Sequence, residues 1–397
     1  MKASCDCLIV GAGLSGLVIA QSLAERAGLS SIIVEKRDHI GGNCFDYHDE
    51  AGVLVHKYGP HYFRASGQHI VDYLSNFTQW LPTDYEIRSF TKGKFWNFPI
   101  NLNTFEAYLG RRSSTEEFEK WLEDKRVPID EPANSEEIII SQIGWEFYEM
   151  FFRGYTTKHW KMDPKELDKS VCGRIPIRTN RDDSYLREPF QALPLHGYSA
   201  MFRNMHSSME NHVRIELETD WRSIKDKVDY RWLVYTGPID EYFESCYDPL
   251  PYRSLSFEPE SFSPKQLKER EVFSGKKGFW QPVMQVNYPE EDVPYTRIVE
   301  IKHATRQDIP QTTIVREYPQ DHSPGREPYY PVPSAESRDL LKKYQRLAAH
   351  EKRVSFVGRL AAYRYINMDQ VVGMALKESD RILRCLTPKV NYNEGRL

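Results

Sequence analysis

Three glycines and one glutamate offer the first chemistry in this chain. Gly11, Gly13 and Gly16 stand as G-x-G-x-x-G within "LIVGAGLSGL", and Glu35 follows 24 positions after Gly11. The glycines serve three physical needs, namely a tight turn, close approach of backbone to a pyrophosphate, and close packing of helix on strand. Free N–H groups and a partial positive charge at the start of the next helix favour phosphate. An acid at the spacing of Glu35 accepts hydrogen bonds from ribose hydroxyls. Together they predict a dinucleotide site.

Such a site needs strand, turn and helix in that order. Residues 7–10 are an apolar run, an amphipathic stretch follows through Glu25, and "SIIVEK" reads as the next strand, ending in the acid. This is an opening βαβ unit. Residues 103–153 change character: "TEEFEKWLEDKR" and "SEEIIISQIGWEFYEMFFRGY" have helical spacing, with Ser135 as the start signal. Residues 171–194 predict a loop-rich crossing. "RWLVYTGPID", "YRSLSFEP", "GFWQPVMQVNYP", "YTRIVEIKHAT" and "TTIVREYP" read as strands, the last four forming an antiparallel sheet. "RVSFVGRLA" predicts a last strand, "MDQVVGMALKESDRILRCL" a closing helix and "TPKVNYNEGRL" a loose tail.

The expected fold class is therefore α/β: a Rossmann-like domain with a helical insert and an antiparallel sheet domain. The boundaries are residues 1–75, 195–250 and 340–390 for the dinucleotide domain and 100–165 for the helical insert. Residues 76–99, 166–194 and 251–339 make the sheet domain. At 397 residues with net charge −4, the chain offers no electrostatic case for nucleic acid. No apolar run approaches a membrane span, and the first residues do not read as a secretory signal. Six cysteines match no zinc or disulfide framework, which predicts a reducing, cytoplasmic setting. Neither a Ser–His–Asp nor a metal constellation is visible.

"EKRDHIGGN" carries Lys36, Arg37, Gly41, Gly42 and Asn43 directly after Glu35. This double signature resembles the large FAD-dependent family that includes amine oxidases, and so favours FAD over NAD. Gly358 and Arg359 fit a second approach to the cofactor. The closing helix begins at Met368 or Asp369, which lets its positive end face the flavin pyrimidine.

The resemblance then narrows. "HKYGPHYF", "INLNTF", "FFRGYTTKHW", "RIPIRTNRDDSY", "PFQALPLHGYS", "YTGPIDEYF", "VPYTRIVEIKH", "EPYYPVP" and "FVGRLAAYRYINMDQV" run in order across nearly the whole chain. They are similar to the bacterial UDP-galactopyranose mutase family. The resemblance implies interconversion of UDP-galactopyranose and UDP-galactofuranose without net redox change. It implies FAD active only when reduced, with NAD(P)H or dithionite as external reductant, and a homodimer, with the insert 100–165 as substrate and dimerisation domain. The reduced flavin N5 would attack the anomeric carbon, displace UDP, and pass through a covalent adduct that opens as an iminium ion.

By the same resemblance, Arg174 and Arg297 contact the diphosphate, where planar guanidinium forks suit phosphate oxygens. Tyr185, Tyr330 and Tyr365 hydrogen-bond it. Phe151, Phe152, Tyr155, Thr156 and Trp160 form the uridine pocket, with the uracil stacked on Tyr155. Phe151 and Phe152 read equally well as core. His61 lies beside the flavin ring, and the segment around Arg174, in the sheet domain, is a mobile lid that excludes water.

Departures gather around the sugar and flavin. Arg64 stands where the family has a histidine, and Asn367 where it has an aspartate. Thr179 and Arg181 replace two aromatics, and His159 and Lys161 also differ. A related mutase with another sugar, UDP-N-acetylgalactosamine first, is therefore the alternative. On that reading Arg64 acts catalytically on the sugar, and Asn367, lacking charge, leaves Arg64 free of a salt bridge. An amine-oxidase-like oxidoreductase and a non-catalytic flavin or nucleotide-sugar binding protein complete the alternatives.

Overall fold

The computed structural model describes residues 2–323 and 325–387; most of the expected loose tail lies outside the described residues. The apolar run seen in the sequence is the centre of the strand Ala3–Val10, with Cys7, Leu8 and Ile9 fully buried. It sits mid-sheet, between Ser31–Val34 and Val228–Tyr235. Val213–Glu216 and Val354–Phe356 complete a five-stranded, all-parallel sheet. Burial on both faces explains why residues 7–9 and Ser31–Val34 read as continuous rather than alternating runs. The helices Leu14–Ala27 and Met368–Leu386 pack against each other, joined at the surface by Arg26 and Asp380, 2.6 Å apart.

A seven-stranded sheet lies beside it, in the order Tyr330–Pro331, Tyr252–Phe262, Thr312–Asp321, Arg297–Val299, Gln285–Asn287, Ile87–Thr91, Lys94–Phe98. It is not purely antiparallel: Gln285–Asn287 runs parallel to Ile87–Thr91. A three-stranded sheet joins Phe63–Ala65, Phe190–Pro194 and Trp80–Pro82, and places Arg64 opposite Gln191.

Against the seven-stranded sheet stand the helices Leu102–Leu109, Thr115–Lys125, Ser135–Tyr148 and Gly154–Trp160, the first touching Lys94–Phe98 and the last Thr312–Asp321. Phe105, Phe118, Trp121 and Phe147 stack in their core. The third of these helices starts one residue earlier than its sequence signal suggested: Asn134 is the cap, its side chain accepting from Glu137 N at 2.9 Å. The run is also interrupted. Gly144 takes φ +73°, and Glu149–Arg153 forms a π-turn, the kind of local unwinding often found at functional sites.

Other departures are local. In "YTRIVEIKHAT" only Arg297–Val299 is strand, and Lys302–Thr305 is a helical turn. Just past this strand the buried Glu300 carboxylate accepts from Trp280 N and Gln281 N. The crossing at residues 171–194 contains a turn of helix, Ser170–Gly173, and the strand Phe190–Pro194. Among the described residues, four helices of eight residues or more have no counterpart in the sequence reading: Gln68–Ser75, Tyr198–Ser207, Pro264–Ser274 and Ala335–Ala348.

Candidate active site

The glycine motif forms a cradle that any side chain would fill. Gly11 has φ +103°, and a Cβ there would lie 2.2 Å from Thr236 Oγ1; a Cβ on Gly16 would lie 2.1 Å from Gly11 O. A Cβ on Gly42 would meet Gly13 Cα at 2.9 Å, so the second glycine pair closes over the first. Glu35 ties the two together: one carboxylate oxygen accepts from Ala12 N at 2.9 Å, the other from Arg37 N at 3.0 Å. Gly11, Gly13, Glu35, Arg37, Gly41 and Gly42 line one long groove with Lys36, Asn43, His61, Gly358, Arg359 and Met368, whereas Gly16 lies behind it, where the helix packs on the Gly11 turn. The donors, the backbone clearance and the helix start at Gly13 fit a dinucleotide.

Arg37 is fixed rather than free. It donates to Asn43 Oδ1 and Glu327 Oε2, each at 2.9 Å, and lies over the Tyr58 ring. Lys36 meets the other oxygen of Glu327 at 3.0 Å. Trp221, stacked on Tyr242, also lines the groove, with its indole N–H buried and unpartnered. Trp221, Thr236 and Glu327 carry no signal in the sequence; they come from distant segments with no motif of their own.

A second cavity begins where this groove ends, and His61, Arg359 and Met368 line both. The structure brings into its wall every residue the resemblance assigned to the substrate: Phe151, Phe152, Tyr155, Thr156, Trp160, Arg174, Tyr185, Arg297, Tyr330, Tyr365 and Asn367, with Arg64. Phe151 and Phe152 are also part of the main apolar core, so both readings of them hold. The π-turn explains their position, turning consecutive phenylalanines toward the cavity before Tyr155. Gln285 and Asn287 contribute polar groups from the seven-stranded sheet, and Tyr85, just before the strand Ile87–Thr91, donates its hydroxyl to Gln285 Oε1.

The two arginines differ in kind. Arg297 stands directly across from Glu317 on the neighbouring strand, and its Nη2 meets Glu317 Oε2 at 2.6 Å. Its Nη1 reaches Gln285 Oε1 at 3.3 Å, while Nε is buried without a partner. Arg174 has no carboxylate. It lies exposed at the mouth, its guanidinium over the Tyr365 ring at 4.5 Å. Arg359 approaches Tyr330 and Tyr365 from the cofactor side, at 5.5 and 5.6 Å.

This positive lining shapes the neighbouring acids and bases. Burial opposes ionisation of Tyr365, but Arg174 and then Arg359 hold its phenol below the ordinary value. Burial and the adjacent Tyr365 push Tyr330 up to about 12. Burial, then His56 and Arg359, lower His61 to about 3. His61 Nδ1 lies 3.0 Å from Gly59 O, which can only accept, so the proton sits on Nδ1 and Nε2 is left as a neutral acceptor.

The expectation that Asn367 leaves Arg64 free of a salt bridge is overturned. Arg64 Nη2 donates to Asn367 Oδ1 at 2.8 Å, and Arg64 Nε lies 3.4 Å from Glu188 Oε1. The missing aspartate charge is replaced by Glu188, from the segment that also carries Arg174 and Tyr185. Thr179 and Arg181 lie away from the cavity, bonding Glu119 and Glu106 on the helical segment. No cluster of His, Cys, Asp and Glu among the described residues could hold a metal.

A family model described as UDP-galactopyranose mutase matches residues 150–365, more than half of the chain, and spans most of this second cavity. The chain belongs to the UDP-galactopyranose mutase family. A model of the NAD(P)-binding Rossmann-like domain matches residues 9–77. A probable UDP-galactopyranose mutase of Klebsiella pneumoniae is 36% identical, over 95% of this chain and 94% of its own. A dTDP-fucopyranose mutase of Escherichia coli is 33% identical, over 93% and 96%. The fold is that of a crystallised reduced UDP-galactopyranose mutase, with TM-score 0.75 at 19% identity over 97% of this chain and 95% of that one. Putrescine oxidase shares the fold at TM-score 0.56 and 14% identity, over 97% of this chain and all of that one. The UDP-galactopyranose mutase family is a family of isomerases and is flavin-dependent. Its membership does not favour the oxidase alternative. Among the described residues no helix is long and apolar enough to cross a membrane.

Proposed function

We propose that this mutase interconverts the pyranose and furanose forms of UDP-galactose, with FAD in the long groove and the nucleotide sugar in the second cavity. The observation that carries this is the shared wall. His61, Arg359 and Met368 bring the end of a dinucleotide groove against a cavity lined by arginine and tyrosine. Reduced FAD, when bound, supplies the nucleophile for the anomeric carbon.

The chain's own residues do the rest. Phe152, Tyr155 and Trp160 offer faces for a uracil without adding charge. Arg297, held by Glu317, is the fixed cation for the diphosphate, and its unpartnered Nε is available to an oxygen there. Arg174 is the movable one, on the segment that closes the mouth. Tyr185, Tyr330 and Tyr365 add hydrogen bonds. The leaving diphosphate gains charge as the glycosidic bond breaks, and donors already aimed at it need no reorganisation then. His61 Nε2 accepts a proton donor at the junction without changing the local charge. Closing the Arg174 segment excludes water from a reactive sugar centre.

The segments 1–75, 195–250 and 340–390 would then serve the cofactor, the segment 100–165 the nucleotide and a homodimer contact, and the remainder the lid and cavity floor. A cytoplasmic setting with NAD(P)H as reductant completes the reading, and six cysteines without disulfide or zinc spacing support it. Plain galactose is preferred over an N-acetylated sugar because Arg64 has two of its donor groups committed to Asn367 and Glu188. The test is incubation of dithionite-reduced protein with UDP-galactose and UDP-N-acetylgalactosamine, followed by chromatographic separation of pyranose and furanose forms. No furanose from either sugar would overturn the proposal.

A further inference from the structure

His159 lies on the helix Gly154–Trp160, one turn after Tyr155, and the two rings are nearly parallel, 7° apart with centroids 6.0 Å apart. It is a wall residue of the nucleotide cavity and is only 9% exposed. Its ring also touches Trp160 and Tyr330, with centroids at 5.4 and 5.6 Å. Yet Nδ1 is fully shielded and has no hydrogen-bond partner, and Nε2 bonds no described residue. A buried polar ring without any partner is rare enough to require a reason.

Two physical facts define what this ring can offer. First, it is uncharged: burial, then Arg297, Arg174 and Arg253, hold it at about 3, far below the working range. Second, the tautomer is set by the shielded atom. An orphaned N–H is rarer in proteins than an orphaned acceptor. Nδ1 therefore carries the lone pair, and Nε2 carries the proton toward the cavity.

The position says what that N–H meets. On one side His159 adjoins Tyr155 and Trp160, which face a base; on the other it adjoins Tyr330, beside Arg359 and Tyr365. The part of a nucleotide that spans base and diphosphate ends in the phosphate attached to the nucleoside. We propose that His159 is a substrate-binding residue whose neutral Nε2–H donates a hydrogen bond to the nucleoside-proximal phosphate of the nucleotide sugar. It adds a directional donor where a further cation would repel the arginines already present. The inference rests on the nucleotide reading of the cavity.

The test compares UDP with uridine on His159→Phe, which keeps a ring but removes the donor, and His159→Gln, which restores an N–H. Flavin content and thermal midpoint check that each variant is folded. His159→Phe should weaken UDP about 10-fold or more, the scale of one hydrogen bond to a charged group, and leave uridine within twofold. His159→Gln should recover most of the UDP loss. Histidine-labelled protein should show an Nε2-protonated ring that shifts on adding UDP and stays neutral at pH 5.5. Unchanged UDP affinity in His159→Phe, or equal losses for UDP and uridine, would overturn this proposal alone. Failure of the wild-type protein to bind UDP would overturn the nucleotide reading, and this proposal with it.

Discussion

Arg64 Nη2 donates to Asn367 Oδ1 at 2.8 Å, across a gap of 303 residues in sequence. Asn367 is also the cap of the closing helix, so this one bond ties the strand Phe63–Ala65 to the helix start that faces the cofactor groove. Glu188 meets Nε of the same guanidinium. Arg64 is thus a tie between the segment that carries Glu188 and the cofactor side of the cavity, and this bears on what its substitution does.

Arg64→His is expected to change the ratio of kcat/KM for UDP-galactose and UDP-N-acetylgalactosamine by less than about 3-fold, because a guanidinium whose Nε and Nη2 are already engaged adds little sugar discrimination. A shift of tenfold or more toward UDP-galactose would restore the altered-sugar alternative. The Arg64–Glu188 pair is partly exposed, so a double-mutant cycle should give a coupling of about 1 kcal/mol or less.

Arg174→Ala and Arg297→Ala separate catalysis from stability. Loss of one charge contact made in the transition state costs about 2.7–4 kcal/mol, so each variant should turn over roughly 100- to 1000-fold more slowly. Only Arg297→Ala should also unfold more easily, by about 3 kcal/mol or more, since it strands the fully buried Glu317 carboxylate. Removing Glu317 as well should return part of that stability. Equal thermal midpoints for the two single variants would show that the Arg297–Glu317 pair does not matter to the fold.

His61 gives a pH dependence with a definite sign. Its folded value of about 3 lies below the unfolded value of about 6.5. Between those values the unfolded chain binds the proton and the folded chain does not. Stability therefore rises with pH across that window and is lost as pH falls below about 6.5, by at most about 1.4 kcal/mol per pH unit for this group. His61→Asn should flatten the loss measured by denaturant unfolding from pH 7 to 5. A wild-type turnover profile with an imidazole limb near 6.5 that vanishes in His61→Asn would contradict the neutral assignment.

The cofactor reading is the simplest to check. The purified protein should be yellow, and furanose formation should require prior reduction. Gly11→Ala should purify without flavin, since its Cβ would lie 2.2 Å from Thr236 Oγ1 on a backbone at φ +103°. Full turnover by oxidised wild-type protein, or normal flavin content in that variant, would count against it.

What could be read from the sequence alone follows from the range of each interaction. Gly11, Gly13, Gly16 and Glu35 were legible because backbone sterics fix their spacing. The start of the closing helix at Met368 was legible from the turn of "YINMDQ" into an amphipathic repeat. The partners of the charged residues were not: Glu317, Glu327 and Glu188 reach Arg297, Arg37 and Arg64 through sheet register and chain crossings that no local pattern encodes. The helices Pro264–Ser274 and Ala335–Ala348 are a different kind of omission. Both open on a serine capping box, at Ser263 and Ser334, and at the first the Ser-x-x-Gln signal (Ser263, Gln266) was present in the sequence. His159 was visible only as a departure from a pattern; its unpaired nitrogen needed three dimensions.

The shared wall of His61, Arg359 and Met368 joins the groove to the cavity. On the proposed reading the two ligands lie in series along one passage, so the cofactor is expected to load before the nucleotide and a seated nucleotide to retard its escape. Flavin should wash out of the dilute protein more slowly when UDP is present, and a substitution made for one ligand at this junction will be felt by the other.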